Sequence, residues 1–430
     1  MNILIVGNGG REHALAWKIS QSPNVQQVFI APGNAGTELE PEITNVPITY
    51  NTINRLIDFA KQQAIDLTII GPEAPLVQGI VDEFNAADLK CLGPNQAAAQ
   101  LEGSKIFAKQ FLTRYGIPTA SYKVFTEITD ALAYLDTVQF PIVIKADGLA
   151  AGKGVIIAPD ITTAKSAVTA MLVEQRFGTA GKQIIIEEFL VGQEVSFIAL
   201  VDGTHVLPLA SSQDHKPISE GDTGLNTGGM GAYSPAPILT PKLHTQVMED
   251  IMLPTVQGMA AEGRPYKGFL YAGLIIGADK IPKVLEFNCR CGDPETQPLM
   301  LRLRSDLANL CLCTVEGRLN HQTISWDPKI ALGVVLASNG YPKHYDTGHI
   351  ITGLPSEHES QQSSLEHKIF HAGTKLREDG KVITSGGRVL CVTALGETIT
   401  AAQQNAYALV DTIQWSDKYY RRDIGYKYST

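Results

Sequence analysis

Several classes of protein are excluded by what this sequence has little of. There is no long basic run, and Asp plus Glu outnumber Lys plus Arg by 44 to 35, a formal net charge of −9 over 430 residues. A nucleic-acid partner calls for a basic stripe to neutralise phosphates, so none is expected. Bound nucleotides stay open, because a few local Lys and Arg residues suffice for them. No stretch reaches the ~18 consecutive apolar residues that would span a bilayer. The opening run Met1-Asn2-Ile3-Leu4-Ile5-Val6 lacks a basic n-region and stops at Gly7, which is not the pattern of a secretory leader. A soluble, cytoplasmic protein with no membrane partner is the expectation. No internal repeat and no low-complexity tract interrupts the chain.

Cysteine is also sparse. Four of the six are spaced C-x-C, as Cys289/Cys291 and Cys311/Cys313, and four thiols in two pairs raise the question of zinc. The second pair follows a helix-like stretch over 306–310, where positions i and i+2 face different ways. Buried free thiols in a reducing compartment are the better reading.

What remains is ordinary globular material, 44% hydrophobic and 18% charged, enough for several cores. At ~100–200 residues per domain, two to four domains are expected. Over 1–103, short apolar runs at 3–6, 28–31 and 67–70 alternate with helical patterns at 12–20 and 53–61. That alternation predicts an α/β, doubly wound parallel sheet. Over 104–325, longer β-type runs at 142–145, 155–158, 184–188, 195–201, 269–276 and 283–288 are separated by glycine turns, which predicts antiparallel sheets and an α+β domain. Over 330–430, short strands and a closing helix near 400–413 suggest a small α/β-type domain. The polar stretch 356–364 reads as a surface loop.

The first strand runs into Gly7-Asn8-Gly9-Gly10-Arg11-Glu12-His13, a glycine turn whose backbone N–H groups could face an anion at a helix N-terminus. A dinucleotide fingerprint is the tempting reading. However, Glu12 stands where a third small residue is needed, and the second strand ends Phe29-Ile30-Ala31-Pro32-Gly33 without an acid for ribose hydroxyls. Phosphate binding without a nicotinamide cofactor, or a plain tight turn, fits better. Two further loops, Pro32-Gly33-Asn34-Ala35-Gly36-Thr37 and Gly71-Pro72-Glu73-Ala74-Pro75, fall at the same edge. Ligands of open parallel sheets bind there, so a phosphosugar pocket is plausible.

In the second unit, Lys145-Ala146-Asp147-Gly148-Leu149-Ala150-Ala151-Gly152-Lys153-Gly154-Val155 resembles a P-loop but fails its spacing, since three residues rather than four separate Gly148 and Gly152. With β-type runs on both sides it reads as a hairpin flap over nucleotide phosphates, or as a solvated hairpin. Ile184-Ile185-Ile186-Glu187-Glu188-Phe189-Leu190 looks like a buried strand ending in an exposed acidic pair, suited to reading adenine through its backbone, with Glu194 just beyond for ribose. In Lys283-Val284-Leu285-Glu286-Phe287-Asn288-Cys289-Arg290, strand alternation puts Leu285 and Phe287 in the core. Glu286 and Asn288 then face together as a hard-oxygen pair suited to Mg²⁺. Arg290, on the same side, can grip phosphate or carboxylate bidentately.

These motifs, together with Leu101-Glu102-Gly103-Ser104-Lys105, Ser212-Gln213-Asp214-His215-Lys216, Asn226-Thr227-Gly228-Gly229-Met230-Gly231-Ala232-Tyr233 and Gly386-Gly387-Arg388-Val389-Leu390, resemble the ATP-grasp superfamily. Within it they resemble the glycinamide ribonucleotide synthetase family along nearly the whole chain. The resemblance implies a central ATP-grasp domain and a reaction that joins glycine to 5-phosphoribosylamine using ATP, through a glycyl phosphate. Carried over by motif, Lys105, Lys145, Gly148, Gly152, Lys153 and Gly154 are expected on the ATP phosphates. Glu187, Glu188, Phe189 and Leu190 are expected at adenine, and Glu194 at ribose. Glu286 and Asn288 are expected to hold Mg²⁺ or Mn²⁺. Arg290, with Lys145, is expected to serve the chemistry. Phosphoribosylamine and glycine are expected on Gly9, Gly10, Arg11, Glu12, Gly33, Asn34, Gly36, Glu73, Asp214, Lys216, Asn226, Gly229, Asp293, Pro294 and Glu295. The chain departs from the family in having Cys291 where a larger apolar residue is usual. It also lacks the acidic metal ligand that many ATP-grasp enzymes carry on the preceding strand, since 268–274 offers none. Rival readings are another ATP-grasp ligase or carboxylase, a dinucleotide-binding oxidoreductase, and a silent nucleotide-binding protein. A monomer or weak dimer is expected.

Overall fold

The first unit is a five-stranded, all-parallel sheet. Its strands lie in the order Ile43–Asn45, Gln27–Pro32, Asn2–Gly7, Leu67–Ile70, Cys91–Leu92. The three apolar runs seen in the sequence form its centre. Their side chains are buried on both faces, as expected of parallel strands sandwiched by helices: Ile3, Leu4, Ile5, Leu67 and Ile69 are all fully buried. Helices Gly10–Ser20 and Ile53–Gln62 provide two of the crossovers. The computed structural model describes residues 1–149, 154–176, 178–355 and 366–429. Gly152, Lys153 and the loop expected at 356–364 lie outside the described residues.

The second unit contains two antiparallel four-stranded sheets. One is ordered Tyr122–Phe125, Ile184–Glu188, Ile142–Ala146, Val155–Ala158. Helices Ile128–Leu135 and Ile161–Leu172 cover it and close a core that includes Ile144, Val168, Met171 and Ile186. That core is separate from the two larger ones, so this lobe packs on itself. The other sheet is ordered Val206–Pro208, Gln193–Asp202, Lys267–Ile276, Pro282–Asn288.

The last strand of that second sheet corrects a sequence expectation. A bulge places Leu285 between the residues paired with Gly273 and Leu274. One extra residue reverses the alternation locally. Val284 and Phe287 are therefore the core residues, and Leu285 is only half-buried.

The third unit is an antiparallel sheet whose strands Ile330–Ser338, Arg388–Gly396 and His367–His371 come from the C-terminal hundred residues, with helix Ile399–Thr412 packed on it. Two strands from the middle of the chain, Gln213–Asp214 and Gly231–Ser234, complete its other side. The segment carrying Asp214 and Gly229 is thus built into the C-terminal sheet, while the strands before and after it belong to the second unit. The C-terminal unit also grips the first. The Asn34 amide donates to His371 O at 2.8 Å, and the His371 N–H donates to His13 Nδ1 at 2.9 Å.

Candidate active site

A cleft of about 410 Å³ opens where the three units meet. It gathers Arg11 and Glu73 from the first unit, and Lys105, Lys145, Gly148, Gly154, Glu187, Glu286, Asn288 and Arg290 from the second. Asp214, Lys216, Asp293 and Glu295 come from the segments that run between the second unit and the C-terminal sheet. A larger cavity of about 1020 Å³ lies between helix Gly10–Ser20 and the C-terminal sheet. Several of its charges pair with one another, as Lys368 with Glu40, Lys329 with Glu366 and Arg304 with Asp327.

Cations line the second-unit side of the cleft. Lys105, at the start of helix Lys105–Arg114, donates to Gly148 O at 2.9 Å. Its pKa is lowered by burial, with Glu286 opposing the shift. Lys145, on strand Ile142–Ala146, reaches Leu285 O at 3.3 Å and Glu187 Oε2 at 3.0 Å. The same Glu187 oxygen lies 3.2 Å from Lys109 Nζ. Burial pushes Lys109 down to about 8, with Glu187 acting in the other direction. Glu187 is therefore not half of an exposed acidic pair. It is 3% exposed and wedged between two ammonium groups, while Glu188 alone faces outward. Strand alternation dictates this, since neighbouring residues take opposite faces.

Glu286 and Asn288 both face the cleft from strand Pro282–Asn288. Burial opposes ionisation of Glu286, but Lys216, Lys145, Lys105 and Arg290 together hold its carboxyl below the ordinary range. Two adjacent oxygen donors fit a divalent ion that takes its remaining ligands from phosphates and water. Among the described residues there is no cluster of three or more His, Cys, Asp or Glu able to hold a metal by itself. All six cysteines are buried free thiols.

Arg290 sits in the turn just after that strand. Its Nε lies 3.1 Å from Glu73 Oε2, its Nη2 lies 3.2 Å from Glu102 Oε1, and its Nη1 donates to Cys291 O at 3.0 Å. Burial disfavours the Glu73 charge, yet Arg290 and Arg11 outweigh it and hold this carboxyl at about 2.

Opposite, Lys216 bridges Glu194 at 2.7 Å and Glu286 at 3.8 Å. Asp214, buried on its short strand, is pushed up to about 7 by desolvation, with Glu295 and Glu194 adding to the shift and Lys216 resisting it. Because its folded pKa lies above the ordinary 3.8, the folded chain holds the Asp214 proton better than the unfolded chain. Stability from this residue is therefore full at low pH and is lost as pH rises through about 7. Asp214→Asn is expected to melt at a higher temperature than the parent at pH 8, with the difference fading towards pH 4. Calorimetry across that range checks the sign, and a constant difference would contradict it.

The glycine turn of the first unit is filled by the protein itself. The Gly9 N–H donates to Glu12 Oε2 at 2.6 Å, and the Arg11 N–H points to Asp293 Oδ2 at 3.4 Å. A Cβ at Gly7 would come within 2.4 Å of the Glu12 side chain, and one at Gly71 within 2.2 Å. The Glu12 carboxylate thus occupies the place where a dinucleotide's pyrophosphate would approach the helix N-terminus, which removes the nicotinamide reading. The Arg11 guanidinium is held by Glu12 at 2.5 Å and Cys291 O at 3.1 Å. Gly33, Asn34 and Gly36 are likewise packed: against Asn45, against the His371 carbonyl, and against His13 and His371. Gly10 abuts Gln297, Gly229 abuts Pro294, and Asn226 is exposed on strand Thr223–Asn226.

Cleft residues with no role assigned from sequence include Glu102, Lys109, Tyr341 and Arg388. Glu102 and Arg388 lie inside motifs noted above, and that was their available signal. Arg388 donates to Gly228 O and Asp293 O, both at 2.7 Å, and the Gly228 N–H donates to the Tyr341 hydroxyl at 3.0 Å. The C-terminal unit thereby shapes the loops that carry Gly228 and Asp293. Lys109 and Tyr341 carried no sequence signal.

A lysine-lined cleft between two antiparallel sheets, one in a separately packed lobe, and an adjoining parallel-sheet unit define an ATP-grasp ligase. Three family models cover nearly the whole chain: the phosphoribosylglycinamide synthetase N domain over 1–102, its ATP-grasp (A) domain over 103–296 and its C domain over 331–427. The chain belongs to the phosphoribosylglycinamide synthetase family. It is 62% identical over 427 residues to the phosphoribosylamine–glycine ligase of Allochromatium vinosum and 60% identical to that of Escherichia coli K12, in each case over 99% of this chain and 98% of the relative. The crystal structure of phosphoribosylamine–glycine ligase from Thermotoga maritima superposes with a TM-score of 0.85 at 34% identity, covering 99% of this chain and 100% of that one. The Campylobacter jejuni biotin carboxylase, at 13% identity and TM-score 0.74 over 100% of this chain and 94% of that one, shares the fold.

Proposed function

We propose that the chain ligates glycine to 5-phosphoribosylamine, coupled to cleavage of ATP, giving glycinamide ribonucleotide, ADP and phosphate. The observation that carries this reading is 60–62% identity, end to end, to proteins named for that ligation. In this reading the glycine carboxylate attacks the γ-phosphate of ATP, ADP departs, and the amine of phosphoribosylamine displaces phosphate from the acyl carbon. No nucleophile of the protein is needed. The chain supplies position and charge, the usual currency of phosphoryl transfer.

The geometry supports a division of labour. Lys105 and Lys145, which line the cleft, suit the triphosphate; motif resemblance, rather than the cleft lining, carries the assignment of the Glu187–Leu190 segment to adenine and of Glu194 to ribose. Glu286 and Asn288 would hold the divalent ion, Mg²⁺ or Mn²⁺, which when bound neutralises charge on the phosphates. Arg290 suits the transferring phosphoryl or the glycine carboxylate. Asp214, Glu295 and Asp293 offer carboxylates to the amines of the substrates, and Arg11 and Lys216 offer cations to their anionic groups.

The reading is tested by ADP release measured with glycine and freshly made phosphoribosylamine, each omitted in turn. Product release is expected to require both. Turnover that persists without phosphoribosylamine, or that follows bicarbonate or formate in place of glycine, would favour a different ATP-grasp ligase.

A further inference from the structure

We infer that Glu102 is a positioning residue for Arg290, fixing its guanidinium together with the backbone that follows the Glu286–Asn288 pair. The inference rests on the reading of Arg290 given above. Glu102 sits on the short helix Gln100–Gly103, at the end of the first unit, and its side chain is 8% exposed. Its two oxygens are divided between tasks. Oε1 lies 3.2 Å from Arg290 Nη2, while Oε2 accepts from the Cys289 N–H at 2.7 Å and the Cys289 thiol at 3.0 Å.

The other carboxylate on Arg290 is held differently. Glu73 is 31% exposed and meets Arg290 at Nε, 3.1 Å away. Glu102 is thus the buried anchor and Glu73 the accessible partner. The chain just beyond Glu102 carries the same bracket to the nucleotide side. The Ser104 hydroxyl donates to Asp147 Oδ1 at 3.1 Å, and Lys105 Nζ donates to Gly148 O at 2.9 Å. One short segment therefore ties the Arg290 turn to the base of the glycine-rich hairpin. A long arginine side chain loses much rotamer freedom when it must meet a reacting anion to within a fraction of an ångström, and a buried carboxylate behind it does that ordering in advance.

A double-mutant cycle tests the inference. Glu102→Gln keeps an acceptor for the Cys289 N–H and removes the charge opposite Arg290. It is expected to lower kcat for ADP release about tenfold, the scale seen for partners standing behind a ligand-touching group, with KM for ATP unchanged within about twofold. Glu102→Asp is expected to recover part of kcat. In an Arg290→Met background, Glu102→Gln should change kcat by less than about twofold, because an effect routed through Arg290 has nothing left to act on. If Glu102→Gln does not fold, judged by its thermal melt, Glu102→Asp takes its place in the cycle. The inference is overturned if the Glu102 variant keeps full kcat, or if its loss is the same in both backgrounds while Arg290→Met alone is costly. Full kcat in Arg290→Met would instead remove Arg290 from the chemistry, and this inference with it.

Discussion

Glu286→Gln is expected to lower turnover on the order of a hundredfold, the scale for losing a group that meets transition-state charge, and to shift half-saturation to higher Mg²⁺. The substitution is nearly isosteric, so the strand should stay in place. What changes is the local charge. Lys216, Lys145, Lys105 and Arg290 all act on the Glu286 carboxylate, and without it they keep only their other anionic neighbours, among them Glu194, Glu187, Glu73 and Glu102. Two further consequences follow. The divalent ion would be left with the Asn288 oxygen as its protein ligand in this pair, so its capture would depend more heavily on the phosphates. Lys216 would lose its 3.8 Å partner and keep Glu194 at 2.7 Å. Steady-state ADP formation across a Mg²⁺ titration reads both effects. Unaltered rates at low Mg²⁺ would take Glu286 out of the metal site.

Lys145→Met carries the other large expectation: a loss in kcat/KM for ATP of about 10²–10³-fold, the range for removing a preorganised donor from a water-poor site. Lys145 is 8% exposed and lies between Leu285 O and Glu187. Removing one partner of a buried ion pair ordinarily costs about 3–5 kcal/mol of stability. Here Lys109 remains on the same Glu187 oxygen at 3.2 Å, so the carboxylate is not left unpaired and a smaller loss is expected. Activity should therefore fall much further than stability. Urea unfolding run beside the kinetics separates the two. A variant with kcat/KM for ATP within about threefold of the parent would show that Lys145 supports the fold rather than the triphosphate.

The parts of the molecule that sequence reading placed correctly are those whose determinants are local. Strands Asn2–Gly7, Gln27–Pro32 and Leu67–Ile70 appear as apolar runs because parallel strands are buried on both faces. The long strands of the second unit are legible for a related reason, being continuous β-type runs between glycine turns. Where pairing across the chain decides, local reading goes astray. The bulge at Leu285 arises from the register of Pro282–Asn288 on Lys267–Ile276. It turned a predicted core leucine into a cleft residue. Glu187 reads as solvated because the acid pair ends a strand, yet Lys109 of helix Lys105–Arg114 and Lys145 of the neighbouring strand both reach its carboxylate.

The sequence by itself determined the chemistry on offer: a glycine-rich hairpin between strands, a Glu-x-Asn with an arginine two residues on, and lysines at motif spacing. Residue type and short-range periodicity suffice for that, because they depend on φ/ψ preference and strand alternation. Only the tertiary structure decided which of those groups share a cleft and which are turned to packing. The Gly9 turn is closed by Glu12, Asn34 is used to tie the first unit to His371, and Arg290 is clamped by Glu73 and Glu102 from the first unit. It also decided that Gln213–Asp214 and Gly231–Ser234 join a sheet formed about a hundred residues later in the chain. The physical reason is that burial and ion pairing act through space. A carboxylate's partners are set by whichever elements pack against it, and separations of 188 residues (Glu102 to Arg290) or 217 residues (Glu73 to Arg290) leave no trace in local pattern.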